Sequence, residues 1–247
     1  MSFEEREMGD DVVLVLIIKC ETRNCDKNIE HLKWVFSDPY FHVELIDNTG
    51  EEENKLMTNA LKYSLTHKYH DKPCIIIKDS SVSNIQPGFD GGITDRIKKA
   101  LIKANTAHLF FLCKWNDACE KHVDVSPNDP FESPKLKWSV KPTATQAIMY
   151  RPHGRDFILN SLINSKDRME TILNNSISDG KLLATVFVPN VIDFDTDLAR
   201  TKSDYLKLNE CSKTSENTQT TQYSVLLILI ILGIILCVSW MILSRSS

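Results

Sequence analysis

The stretch CIIIKDSSVSN, residues 74–84, decides how this chain is to be read. Cys74-Ile75-Ile76-Ile77 is an unbroken apolar run directly after Pro73, the pattern of a strand buried on both faces. It stops at once in Lys78-Asp79-Ser80-Ser81. A strand buried on both faces needs a sheet covered on both sides, so the sequence around it must supply helices and further strands. In open sheets of that kind ligands bind outside the carboxyl ends of the strands, which is where KDSS stands.

On the amino-terminal side, Val12 to Ile18 is β-branched and aliphatic throughout and reads as the first core strand. Asn24 to Phe36 has helical spacing, with Asn24 or Asp26 as cap and Ile29, Leu32 and Phe36 on one face. His42 to Ile46 (HVELI) alternates apolar and polar residues and fits a second strand. Glu51 to His67 repeats Leu56, Ala60, Leu61 and Leu65 at helical period.

On the carboxyl side, SNIQPGFDGG (83–92) is a Gly/Pro-rich loop. Thr94 to Asn105 reads as a helix with Thr94 as N-cap and Ile97, Leu101 and Ile102 inward. His108 to Leu112 is a fourth strand. Asp124 to Pro134 carries three prolines and reads as a long loop. Thr145 to Tyr150 is a further strand, Pro152 can open a helix running through Gly154 to Leu162, and Ile172 to Ile177 is a helix or turn. Thr185 to Val188 is a last strand, closed by Pro189. Strands alternating with helices predict an α/β, Rossmann-like domain with a mainly parallel sheet and flanking helices.

Bulk properties narrow the partners. The 247 residues carry a net charge of -4, with 25% charged and 42% hydrophobic residues, which suits a globular chain and argues against nonspecific nucleic-acid binding. Seven cysteines, an odd number without a CxxC pair, predict thiols in a reducing compartment and not a disulfide framework. Cys113, Cys119 and His122 lack the second ligand pair of a structural zinc site.

The most apolar segment is SVLLILIILGIILCVSWMIL, residues 224–243, with no charge and serine as its one polar residue type. About 20 such residues span a bilayer as a helix, and Tyr223 and Trp240 suit its two interfaces. The acidic start MSFEEREMGDD has no basic n-region. These features predict a single-pass tail anchor with the amino-terminal domain facing the cytosol. The expected organisation is a domain over 1–211, a polar tether over 212–223 (KTSENTQTTQ within it), the anchor over 224–243 and a short tail over 244–247.

Three segments carry a family resemblance: VVLVLII with a helix after it, IIIKDSSV, and TQAIMYRPHGRDFILNSL (145–162). Together they resemble glycosyltransferase family 25, the lipopolysaccharide and procollagen galactosyltransferase type, over about residues 10–165. FFLCKWNDACEKH (110–122), WSVKPTATQAIMYRPHGRDFI (138–158) and ATVFVPNVIDFDTDLA (184–199) are similar to small family-25-like proteins of nucleocytoplasmic large DNA viruses, out to about Cys211. The resemblance implies a GT-A fold, a nucleotide sugar as cofactor and Mn²⁺ or Mg²⁺ bridging its diphosphate. It puts Asp79 at the metal and catalytic position and Lys78, Ser81 and Gln146 on the cofactor side. Asp117, after a strand, could be an acceptor-side base, a carboxylate supporting the site, or a loop residue satisfying a backbone turn.

The sequence departs from that family where Glu-Asp-Asp is usual. Hard cations need oxygen ligands, preferably anionic. Here Asp79 is one carboxylate, Ser80 and Ser81 are neutral, and the Lys78 charge opposes a cation. Three readings are open: a polar strand end or vestige, a metal-assisted site, or a metal-free site in which Lys78 or Arg96 meets the diphosphate. Trp115 could stack on a sugar or sit in the core. His153-Gly154-Arg155-Asp156 could be a phosphate-contacting helix start or a solvated one. Asp193, Asp195 and Asp197 alternate with apolar residues, as a cation site or as a solvated strand edge. The chain is then either an active transferase acting on viral glycoproteins or a pseudo-enzyme, a virion component whose anchor sits in the internal membrane and whose domain meets capsid proteins.

Overall fold

The structure is a computed structural model. It describes residues 12–19, 25–47, 52–83, 85, 87, 91–114, 121–126, 135–142 and 144–195. Contacts divide the chain after Cys211 into two units, and every described residue belongs to the first. The expected tether, anchor and tail lie outside the described residues, as do Trp115, Asp117 and Asp197. No described helix is long and apolar enough to cross a membrane.

The domain opens with β1 (Val13–Lys19), α1 (Asp26–Val35), β2 (Phe41–Asp47), α2 (Glu53–Thr66) and β3 (Cys74–Lys78). It continues through β4 (Ser81–Val82), α3 (Ile93–Lys103), β5 (Leu109–Phe111), β6 (Val123–Asp124), β7 (Lys135–Ser139) and β8 (Ala147–Tyr150). It closes with α4 (Pro152–Asn164), α5 (Met169–Ser178), β9 (Ala184–Val188) and β10 (Asp193–Phe194). Eight strands form one sheet in the order β2-β1-β3-β8-β5-β9-β7-β6.

The first three strands are parallel, with β1 between the other two. The chain steps outward from β1 to β2, then crosses back over β1 to reach β3. Right-handed crossovers in opposite directions put their helices on opposite faces, and the core divides accordingly. Val13, Val15 and Ile17 of β1 pack with α1 and α3 on one face. Leu14, Leu16 and Ile18 pack with α2, α4 and α5 on the other. β1 is buried along nearly its whole length because it serves both layers. The point where the chain reverses, between the carboxyl ends of β1 and β3, is the topological switch of the sheet.

The sheet is mixed: β2, β1, β3, β5 and β9 run the same way, with parallel pairing at β1–β2, β1–β3 and β5–β9. β8 runs antiparallel to both β3 and β5, and β7 runs antiparallel to β9. The TQAIMY strand therefore delivers Arg151 and the start of α4 to the end of the sheet opposite KDSS. The expected phosphate-contacting start at His153-Gly154-Arg155-Asp156 does not face the Asp79 edge.

Local boundaries also differ from the expected ones. Thr94 is not the N-cap of α3; the helix starts at Ile93, the N-cap position is Gly92, and Thr94 is fully buried. Gly91 before it has a positive φ of 75°, which glycine adopts without strain. Ile102, expected inward, is 76% exposed, because the buried stripe of α3 is Ile93, Ile97 and Ala100. Four short strands had no strong sequence signal: β6 and β7, which pair with each other at the sheet edge, and the two-residue β4 and β10, which pair outside the main sheet.

Candidate functional site

The candidate site is the carboxyl end of β3. Asp79 N–H donates to the Ile18 carbonyl at 3.0 Å, so the chain leaving β3 is laid directly across the switch point beside β1. Lys78 N–H donates to the Gln146 carbonyl at 2.9 Å, and Gln146 Nε2 donates to Ser80 Oγ at 3.3 Å. Lys78, Asp79, Ser80, Ser81 and Gln146 thus gather at one edge.

The edge is closed. Asp79 and Ser81 are 0% exposed and Ser80 is 2% exposed. Alongside it β10 runs antiparallel to β4: Phe194 pairs with Ser81, Asp193 with Val82, and Asp195 N–H donates to the Ser80 carbonyl at 2.8 Å. Side chains pin this strap. Asn28 Nδ2 of α1 donates to Asp195 Oδ2 at 2.8 Å, Ser83 Oγ donates to the Val191 carbonyl at 2.7 Å, and Asn190 Nδ2 donates to Asp193 Oδ1 at 3.1 Å. Burial raises the Asp193 carboxyl above its ordinary range, against the lowering effect of Asn190. Of the expected Asp193-Asp195-Asp197 edge, the first two residues belong to this closing strap.

Lys78 has partners as well. Its ammonium, 13% exposed as a side chain, lies 2.5 Å from Glu53 Oε1 and 2.7 Å from Thr145 Oγ1. Thr145 in turn donates to the same Glu53 oxygen. Burial alone would raise the Glu53 carboxyl, but the Lys78 ammonium, the Thr145 hydroxyl and the charge of Arg168 outweigh it and hold the pKa below the ordinary value. Glu53 also opens α2, where a negative charge is favoured by the helix dipole. Nothing in the spacing of the sequence linked Glu53 or Thr145 to Lys78, since the contacts span 25 and 67 residues. Arg96, the other cation considered for a diphosphate, bonds the Gly91 carbonyl through Nε at 2.7 Å.

The implied nucleotide sugar with Mn²⁺ or Mg²⁺ can be tested against this donor set. A divalent hard cation keeps several oxygen ligands and an open approach for the phosphates. Asp79 belongs to no group of three metal-capable side chains among the described residues. Ser81 Oγ and Gln146 Oε1 are buried and, among the described residues, have no hydrogen-bond partner. They are buried neutral oxygens and add no anionic ligand to Asp79. The residues present do not fit the group.

No protein-family model matches the sequence, and no curated protein is significantly similar to it. Solved structures similar to this chain include A197 from STIV, at 8% identity over 73% of this chain and 83% of that one, with a TM-score of 0.43. Another is 4-diphosphocytidyl-2C-methyl-D-erythritol synthase from Anaerococcus prevotii, at 7% identity over 82% of this chain and 97% of that one, with a TM-score of 0.43. A third is UDP-glucose pyrophosphorylase complexed with UDP-glucose, at 6% identity over 74% and 75%, with a TM-score of 0.38. The likeness concerns chain path alone.

Proposed function

We propose that the chain is a membrane-anchored, glycosyltransferase-like domain that has lost sugar transfer and acts as a structural or interaction module. The observation that carries this reading is the closed end of β3: Asp79 and Ser81 are fully buried, β10 pairs along the β4 residues that follow, and Lys78 is matched by Glu53. A transferase needs that edge open to a diphosphate and its cation. The anchor is the apolar run at 224–243, and the virion setting rests on the resemblance to large-virus proteins. In that setting the domain would link an internal membrane to capsid proteins.

A second reading, an active nucleotide-sugar-dependent transferase, is favoured by the buried oxygens Ser81 Oγ and Gln146 Oε1, which have no hydrogen-bond partner among the described residues. Isothermal titration of the full chain with UDP-sugars and Mn²⁺ separates the two. The module reading expects no heat of binding at millimolar ligand. Saturable binding that is lost in Asp79→Asn would overturn it. The location is tested by alkaline carbonate extraction of membranes and by the presence of the chain in purified particles.

A further inference from the structure

The one group of three metal-capable side chains among the described residues lies away from β3's polar end. It consists of His42, Glu44 and His67. His42 and Glu44 are two residues apart on β2, so they project to the same face of the sheet. In the parallel register His42 stands level with Leu14 and Cys74, and Glu44 with Leu16 and Ile76. Both therefore lie on the face covered by α2, and at the outermost strand of the sheet. His67 is the residue that ends α2, which brings it over the same edge.

The three donor atoms converge. His42 Nε2 is 3.0 Å and His67 Nε2 is 3.1 Å from the same Glu44 oxygen, Oε1. All three lie within 4.8 Å of one another. Ligand atoms around a tetrahedral zinc ion with bonds of about 2.0–2.1 Å are about 3.3 Å apart, so the two contacts to Glu44 must lengthen by about 0.2–0.3 Å, while the two imidazole nitrogens, within 4.8 Å of each other, settle to the same separation. The second carboxylate oxygen is held separately, since Tyr63 OH donates to Glu44 Oε2 at 2.5 Å. That outer contact fixes the carboxylate plane and leaves Oε1 facing the imidazoles, the arrangement by which supporting residues tune a metal ligand. The two imidazoles are braced by Tyr69, whose ring centroid is 5.3 Å from each. The site is reachable: His42, Glu44 and His67 side chains are 35%, 27% and 9% exposed.

The geometry points to a binding site for one divalent transition ion of the zinc type, held by His42, Glu44 and His67, with solvent completing the coordination. Two imidazoles and one carboxylate suit zinc, copper or nickel and not magnesium or calcium, which demand oxygen. The ion would tie the edge strand β2 to the end of α2. Without an ion, the Tyr69 amide N–H donates to His67 Nδ1 at 3.2 Å, which places the His67 proton on Nε2, aimed at Glu44. Metal on Nε2 moves that proton to Nδ1. The Tyr69 amide then loses its acceptor, and the turn after α2 must shift to accommodate the change.

The test uses the full chain, purified in detergent, and titrates it with Zn²⁺ and with Co²⁺ as a spectroscopic stand-in. The expected result is one ion per chain, visible d–d bands for Co²⁺ without a sulfur charge-transfer band, no competition from Mg²⁺, and a shift of the Tyr69 amide resonance. His67→Ala should weaken binding by more than about 100-fold, and Tyr63→Phe by about tenfold, because the first removes a ligand and the second only its support. Absence of binding by the wild-type chain overturns the proposal. So does equal binding by His67→Ala, or a sulfur signature that assigns the ion to the cysteines. If the substituted chains fail to fold, X-ray absorption on the zinc-loaded wild type decides, since a shell of nitrogen and oxygen only is required.

Discussion

Replacing Gly154 by alanine probes a close approach between α4 and the sheet. Gly154 lies in the first turn of α4, and a Cβ there would sit 2.5 Å from the His108 carbonyl oxygen and 3.1 Å from both the His108 carbonyl carbon and Leu109 Cδ2. Ordinary contact begins at 3.4 Å, so the backbone at the start of β5 must retreat by about 0.9 Å. The same His108 oxygen accepts the Arg151 N–H at 3.0 Å, so the retreat also strains the bond that seats the helix. Overpacking of this kind costs about 1–3 kcal/mol. The better helix propensity of alanine returns less than about 1 kcal/mol in a first turn. At about 2–4 °C per kcal/mol for a domain of this size, a net cost of about 1–2 kcal/mol for Gly154→Ala should lower Tm by about 2–8 °C. Calorimetry and urea denaturation measure it. A change within about 0.5 kcal/mol, typical of an unconstrained surface site, would show that α4 is not packed against His108 as described.

Two further outcomes concern the β3 edge. Glu53→Gln should destabilise the chain by about 1 kcal/mol at neutral pH, a value kept small because the Glu53 side chain is half exposed. Since the folded pKa of Glu53 lies below its ordinary 4.5, its contribution is present above that value and is lost as pH falls through the folded pKa. Denaturation curves of wild type and variant should therefore converge in acid, and a gap that persists there would contradict the assignment. Ser81→Ala removes a buried hydroxyl that has no hydrogen-bond partner among the described residues, so it should be neutral or stabilising by up to about 1–2 kcal/mol. A marked destabilisation in the same assay would mean that Ser81 Oγ holds something essential.

Much of the scaffold could be read from residue pattern. The β-branched run of β1 and the apolar run of β3 are buried as expected, and the inward residues of α2, Leu56, Ala60 and Leu61, are those its period selects. Strand direction was not legible, because an antiparallel strand such as β8 carries the same fully apolar pattern as a parallel one buried on both faces. The closing strap was not legible either. Its ladder with β4 is two residues long and joins positions more than 100 apart, too short to leave a period and too distant for local chemistry. The HVELI segment shows a subtler loss. Its alternation marked a strand correctly, but alternation also puts His42 and Glu44 on one face, and the third member, His67, comes from a helix end 23 residues beyond Glu44.

The position of β8 has a consequence for how the chain is made. β8 fills the middle of the sheet, between β3 and β5, yet it is synthesised after both. On a ribosome, β1, β2 and β3 with their two helices can assemble as soon as they emerge, whereas β3 then waits about 70 residues for its other neighbour. During that interval an apolar strand offers an unpaired edge to any other nascent chain, a hazard for aggregation. A chaperone that shields Cys74 to Lys78 until Tyr150 has emerged would raise the yield of folded protein, and chains truncated between Lys78 and Ala147 would be the aggregating ones.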